Sequence, residues 1–277
     1  MSRRRQLEEH RHRLGEIREI MNSMKTLAYM ETHKLARFLD TQNAMVHDIE
    51  AVAADFLAFY PDTLPSLQAA TPVFLLIGSE RGFCGDFNEA LVRSLETYRT
   101  EHQIDSPTLI PVGQKLHHLL ESNPQVHAFI EGAGVIEEVS VTMTRIIDTL
   151  TELQASHGPI SLTAIHHDED AKDVVIKKLL PPFHGRAATP PPFSHPPLLN
   201  LSPAEFLLEL TDHYLFAVLH QLLYNSLMAE NYRRVRHLEG AVRHLDEETA
   251  KLGRQGNALR QEEIIEEIEV ILLSFQP

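Results

Sequence analysis

Apolar side chains recur every 3.5 residues along the N-terminal stretch of the chain. Stepping by alternating threes and fours from Leu7 gives Leu7, His10, Leu14, Ile17, Met21, Met24, Ala28, Glu31, Leu35, Phe38, Gln42, Met45, Ile49, Val52, Phe56 and Phe59. Only His10, Glu31 and Gln42 interrupt the series, no proline precedes Pro61, and Gly15 is the only glycine before it. This spacing predicts one helix of roughly 55 residues, about 80 Å long at 1.5 Å per residue. The C-terminal end repeats the pattern with Val235, Leu238, Val242, Leu245, Thr249, Leu252, Gly256 and Leu259. Upstream of it, Ser202-Pro203-Ala204-Glu205 is a helix-start signature, with Ser as N-cap, Pro at the first position and Glu at the third. No further proline intervenes before Ser274, so a second helix of roughly 70 residues is expected. A narrow seam of this kind must be buried, and each helix offers the other a partner. The expectation is a long antiparallel coiled coil made by the two ends of one chain.

The repeat stops after Leu259. Ile264, Ile265, Ile268, Val270, Ile271, Leu272 and Leu273 point to several faces, interleaved with Glu262, Glu263, Glu266, Glu267 and Glu269. A glutamate run on a helix is commonly a solvated face, but a helix apolar on several sides asks for cover. The two readings predict, respectively, a wet helix end and a tip enclosed by another protein.

Between the helices the period changes. "TPVFLLIG" (71–78), "TLIPVG" (108–113), "ISLTAIHH" (160–167) and "DVVIKKLLPPF" (173–183) read as strands. Residues 88–98, "QKLHHLLES" and 139–153 carry helical spacing. Strands alternating with helices predict a small, Rossmann-like α/β domain with a mostly parallel sheet, its last two strands forming an antiparallel hairpin through "DEDAK". The expected segments are a coiled-coil helix over 1–60, an α/β domain over 71–183, a proline-rich linker over 184–202 and a second coiled-coil helix over 203–275.

The most motif-like stretch is "IGSERGFCGDFNEALV", residues 77–92. It follows an apolar strand, holds Gly78, Gly82 and Gly85, and ends in a helix start. The dinucleotide fingerprint needs G-x-G-x-x-G and the phosphate loop needs a terminal Gly-Lys-Ser/Thr, and this loop has neither. Asp86 would add negative charge where a phosphate would sit, although it suits the helix dipole. The loop is therefore expected to be a structural turn, with Gly82 and Gly85 serving the bend, Asp86 the helix start and Cys84 packing. "HHDED" (166–170) invites a metal, but adjacent strand residues face opposite sides, so His166 and His167 do not converge, and a solvated hairpin end is expected. Cys84 would need a positioned base to act as a nucleophile, and the sequence identifies none.

Composition narrows the classes. Twenty-five basic against thirty-nine acidic residues give a formal charge of -14, which disfavours nucleic acid as a partner. One cysteine excludes an intramolecular disulfide and a multi-cysteine zinc site, and it fits a reducing compartment. No window is long and apolar enough to insert directly in a membrane, and "MSRRRQLEEHRHRLGE" lacks the apolar core of a signal peptide.

"GFCGDFN" (82–88), "MAEN" followed by Arg234 (228–234) and "NALRQEEIIEEI" (257–268) carry a resemblance, with order and spacing kept over nearly the whole chain. They resemble the Gly-Leu-Cys-Gly-Gly-Phe-Asn loop, the Ser-Glu-x-x-x-Arg segment and the Asn-x-x-Arg-Gln-x-x-Ile-x-x-Glu-Ile stretch of the gamma subunits of F-type ATP synthases. "LLP" (179–181) and "IREIMNSM" (17–24) are looser matches. Asp86, the segment around Lys34 and the ending "VILLSFQP" depart from the family pattern and mark a divergent member. The resemblance implies a central rotor shaft that performs no chemistry and needs no cofactor or metal. Its implied partners are the alpha and beta subunits of the catalytic hexamer, the epsilon subunit and the membrane ring of c subunits. It implies a peripheral place on the cytoplasmic face of a bacterial-type membrane. Partner contacts are then expected at Met21, Met24, Asn257, Arg260, Gln261, Ile264, Glu267 and Ile268. Two other classes stay open from the residues alone: a coiled-coil scaffold whose α/β domain binds a ligand or partner, and an enzyme built on Cys84.

Overall fold

The computed structural model describes residues 3–64, 70–168, 174–183 and 195–274. The chain divides into two compact units, one made of residues 1–29 with 234–277 and the other of residues 30–233. Helices α1 (Arg3–Phe59) and α5 (Pro203–Ser274) contribute to both.

In the first unit the two helix segments run antiparallel. Arg4 reaches Glu263 at 3.3 Å and Arg18 pairs with Asp246, so rising numbers on α1 meet falling numbers on α5. The C-terminal seam lies where its spacing predicts: Leu238 and Val242 are buried, and Leu245, Thr249, Leu252 and Leu259 are half-buried. On α1, Leu7, Leu14, Met21, Met24 and Ala28 turn inward, but His10 and Ile17 stay exposed.

The second unit is built on a four-stranded sheet in the order β2-β1-β3-β4, where β1 is Thr71–Ile77, β2 is Thr108–Val112, β3 is Ile160–His167 and β4 is Val174–Leu180. β1 pairs in parallel with β2 and β3, while β4 runs antiparallel to β3. Parallel neighbours require crossovers, supplied by α2 (Phe87–His102), α3 (Gln114–Leu120) and α4 (Val139–His157). Strand β1 is buried on both faces, which is why it reads as a continuous apolar run. Val73, Leu75 and Ile77 enter one core with α1, α4 and α5, and Phe74 and Leu76 enter a second with α2 and α3. The "DEDAK" connection after Asp168 and most of the proline-rich segment lie outside the described residues.

The α1 segment of this unit corrects half of the expected seam. Leu35, Gln42, Ile49 and Phe56 turn inward, but Phe38, Met45 and Val52 are 52%, 44% and 47% exposed. Leu39, Val46 and Ala53, each one residue further on, are buried instead. Both rows keep a 3.5-residue spacing with Leu35 and Phe56, so periodicity alone does not separate them. The smaller row admits closer packing, and the larger side chains remain outside.

Candidate functional site

The loop that follows β1 lies at the carboxyl ends of the parallel strands, the place where doubly wound sheets commonly hold ligands. Here the chain fills that place with its own groups. The Glu80 carboxylate accepts from the Gln114 N–H at 3.0 Å and the Gly132 N–H at 2.8 Å. It thus takes the position at the start of α3 that an anionic ligand would need. The buried Glu230 of α5 accepts from the Glu80 N–H at 3.2 Å and the Arg81 N–H at 3.1 Å. Asn88 closes the bend, accepting from the Ser79 N–H at 3.0 Å and donating to Ser79 Oγ at 2.9 Å. With backbone donors already engaged by two carboxylates, a phosphate would meet negative charge rather than free N–H groups.

The glycines of the loop divide the work differently from the expectation. Gly85 adopts a left-handed φ of 63°, but Gly82 does not, and its neighbour Phe83 does so at 65°. Gly78 is required for space: a Cβ there would lie 2.4 Å from Leu116 Cβ. Cys84 is buried, its Sγ 3.4 Å from the Arg81 carbonyl and 3.3 Å from that of Gly82, with no base among these contacts. Asp86 precedes α2 without a side-chain capping bond. Its carboxylate instead accepts from Arg93 at 3.0 Å and Arg233 at 2.9 Å. The Arg93 hydrogen bond, aided by the Arg233 charge, holds the Asp86 carboxyl below the usual carboxylate range.

The expectation of a solvated "HHDED" fails for its first two residues. His166 and His167 are both buried at the end of β3. His167 stacks on Phe87 with ring centres 3.9 Å apart, and its Nε2 lies 2.8 Å from the Phe87 carbonyl. Burial pushes its pKa down to about 4 and lowers that of His166 as well. Both rings are therefore neutral packing groups. Among the described residues, no cluster of three or more His, Cys, Asp or Glu is arranged to hold a metal.

At the other end of α5, within the first unit, the expected contact residues are surface residues. Asn257, Arg260, Gln261, Ile264, Glu267 and Ile268 are exposed, while Met21 and Met24 are half-buried on α1. Ile264, Ile265, Ile268, Val270, Ile271, Leu272 and Leu273 are between 45% and 68% exposed. Seven exposed branched side chains thus crowd one helix end, where isolated exposed apolar residues would be ordinary.

A family model described as ATP synthase matches residues 3–276. The chain belongs to the ATP synthase family. The ATP synthase gamma chain of Clostridium perfringens (strain 13 / Type A) is 22% identical over 272 residues, covering 92% of this chain and 91% of the relative. That of Clostridium botulinum (strain Langeland / NCTC 10281 / Type F) is 22% identical over 275 residues, covering 95% and 94%. Among solved structures, the rotor of the Euglena gracilis mitochondrial ATP synthase shares the fold with a TM-score of 0.61 at 15% identity, covering 94% of this chain and 98% of its own. The central stalk and c-ring structure from Tetrahymena thermophila gives a TM-score of 0.56 at 17% identity, covering 80% and 99%. Glu80 and Glu230 were not among the residues singled out for a site by sequence pattern. The available signal was Glu230 itself, a carboxylate directly after the apolar Met228 and Ala229 on a helix that must bury that side.

Proposed function

We infer that the chain is the central-stalk, or gamma, subunit of an F-type ATP synthase. The observation that carries the reading is the family match over residues 3–276, which spans both helical ends and the α/β body. The geometry fits a mechanical part. Two helices carry seams rather than catalytic groups, the loop that could have held a nucleotide is occupied by the chain's own carboxylates, and the α5 end presents uncovered apolar side chains.

On this reading the chain performs no chemistry, and the ATP sites belong to the alpha and beta subunits around it. The α5 end, with Asn257, Arg260, Gln261, Ile264, Glu267 and Ile268, turns against those subunits, and Met21 and Met24 of α1 contact them further along the coiled coil. The α/β body meets the epsilon subunit and the c-subunit ring. A shaft without symmetry offers each beta subunit a different face. Each face stabilises a different open or closed state, and only such differential contact energy can shift those equilibria. No helix among the described residues is long and apolar enough to cross a membrane, which suits a peripheral place on the cytoplasmic face of the membrane-bound complex.

Affinity purification of the tagged chain from its own cells tests the assignment. It should bring down a nucleotide-binding hexamer at one shaft per hexamer, together with ring subunits. Recovery of self-associated chain alone would replace the rotor with a scaffold, and saturable binding of a small molecule by the chain alone would favour an enzyme.

A further inference from the structure

We propose that Glu230 is the residue by which α5 grips the α/β body, so that the sheet and the helix turn as one piece. The proposal rests on the rotor reading above. Glu230 is 2% exposed, and its two carboxylate oxygens accept separately from the Glu80 and Arg81 N–H groups. Those donors leave the carboxyl end of β1, the strand paired on both sides. One turn before Glu230, Ser226 Oγ donates to the Ile77 carbonyl at 3.1 Å. One turn after it, Arg233 donates to Asp86 at 2.9 Å and lies 5.6 Å above the centre of the Phe87 ring. Residues 226, 230 and 233 share one face of the helix, and together they hold the β1–α2 connection at its start, middle and end.

Apolar packing between a helix and a sheet is non-directional and gives way when one slides on the other. A carboxylate shared between two consecutive N–H groups has a defined direction, and its charge and burial strengthen both bonds. Glutamate is specified by chemistry as well as by size. It offers two acceptor oxygens, whereas glutamine offers one acceptor and one donor, and the donor would face an N–H group. Glu230→Gln therefore breaks one arm of the grip while keeping the shape. Glu230 acts here as a positioning residue, through the loop it holds.

The test uses the assembled, membrane-bound complex with the wild-type chain, Glu230→Gln and Glu230→Ala. Two quantities are read: hydrogen exchange at the Glu80 and Arg81 amides, and ions pumped per ATP hydrolysed. Glu230→Gln should speed exchange at one or both amides by roughly tenfold, the scale of losing a charge-assisted hydrogen bond. It should also lower ions pumped per ATP while the complex stays assembled and hydrolysing, and Glu230→Ala should lower the ratio further. A purely structural role would move the exchange and leave the ratio alone, so faster exchange with unchanged coupling overturns the proposal. Unchanged exchange overturns it too, because the bond would then hold nothing. If Glu230→Ala fails to assemble, the isosteric Glu230→Gln decides. Absence of the wild-type chain from any hexamer removes the rotor reading itself, an outcome distinct from an assembled and fully coupled Glu230→Gln complex.

Discussion

Gly78 illustrates how one atom constrains the loop. A methyl group added there would meet Leu116 Cβ at 2.4 Å and Asn88 Oδ1 at 2.7 Å, and neither is the free end of a long side chain. Gly78→Ala should therefore destabilise the protein by about 1–3 kcal/mol, read as a lower denaturation midpoint. Gly82→Ala should cost far less, since only Lys115 Cε comes near, at 3.8 Å. His167 carries a pH dependence of definite sign. Its pKa falls from 6.5 to about 4 on folding, so below pH 6.5 the unfolded chain binds a proton that the folded chain does not. The stability due to its burial is complete above pH 6.5 and is lost as pH falls from there toward about 4. His166 adds to the same acid limb, because burial lowers its pKa too. Denaturation midpoints measured from pH 7 to pH 4 should fall, and His167→Gln should flatten that fall even if it lowers the midpoint at pH 7.

At the level of elements, α1 and α5 obey different amounts of their own pattern. The capping signature at the start of α5 forms as spelled: Glu205 accepts from the Ser202 N–H at 3.0 Å and from Ser202 Oγ at 2.7 Å, and Ser202 Oγ accepts from the Glu205 N–H at 3.4 Å. Along α1 the spacing was legible but one of its two rows was not. Phe38, the more hydrophobic choice by eye, sits outside with its ring 6.4 Å from that of Tyr224, and Leu39 is buried. Leu39→Ala should cost about 2–4 kcal/mol and Phe38→Ala under about 1 kcal/mol in the same denaturation measurement. Equal losses would restore the Phe38 row to the seam. The departure around Lys34 also has a local reason. Lys34 pairs with Glu31 at 2.8 Å and Glu137 at 3.3 Å, so in this chain it serves contacts inside the α/β unit.

For the molecule as a whole, function lies in surfaces that meet other chains. Arg260 is exposed beyond the end of the seam, and it takes part in neither the Arg4–Glu263 nor the Arg18–Asp246 pair. Arg260→Ala should leave the stability of the purified chain within about 0.5 kcal/mol of wild type, read as a nearly unchanged thermal midpoint. In the assembled complex the same variant should lower ATP-driven ion pumping, and pumping at the wild-type level would remove Arg260 from the proposed contact with the alpha and beta subunits. The apolar end of α5 belongs to the same scale. Its exposure was legible from the loss of the seven-residue pattern after Leu259, because a helix with apolar residues on several sides cannot bury them all against one partner helix.

Sequence by itself determined the two long helices, the strand–helix alternation of the middle segment and the family, because periodicity and turn chemistry are local and survive without tertiary contact. It also ruled out a standard nucleotide loop from spacing alone. Tertiary structure decided which α1 row packs inward, that His166 and His167 are buried, and that Glu80 and Glu230 close the loop after β1. These outcomes depend on groups far apart in the chain: Glu230 meets residues 149 and 150 positions away. Spacing within a helix says that a face is buried, while the depth of each side chain and the partner of each polar atom are set by what lies opposite.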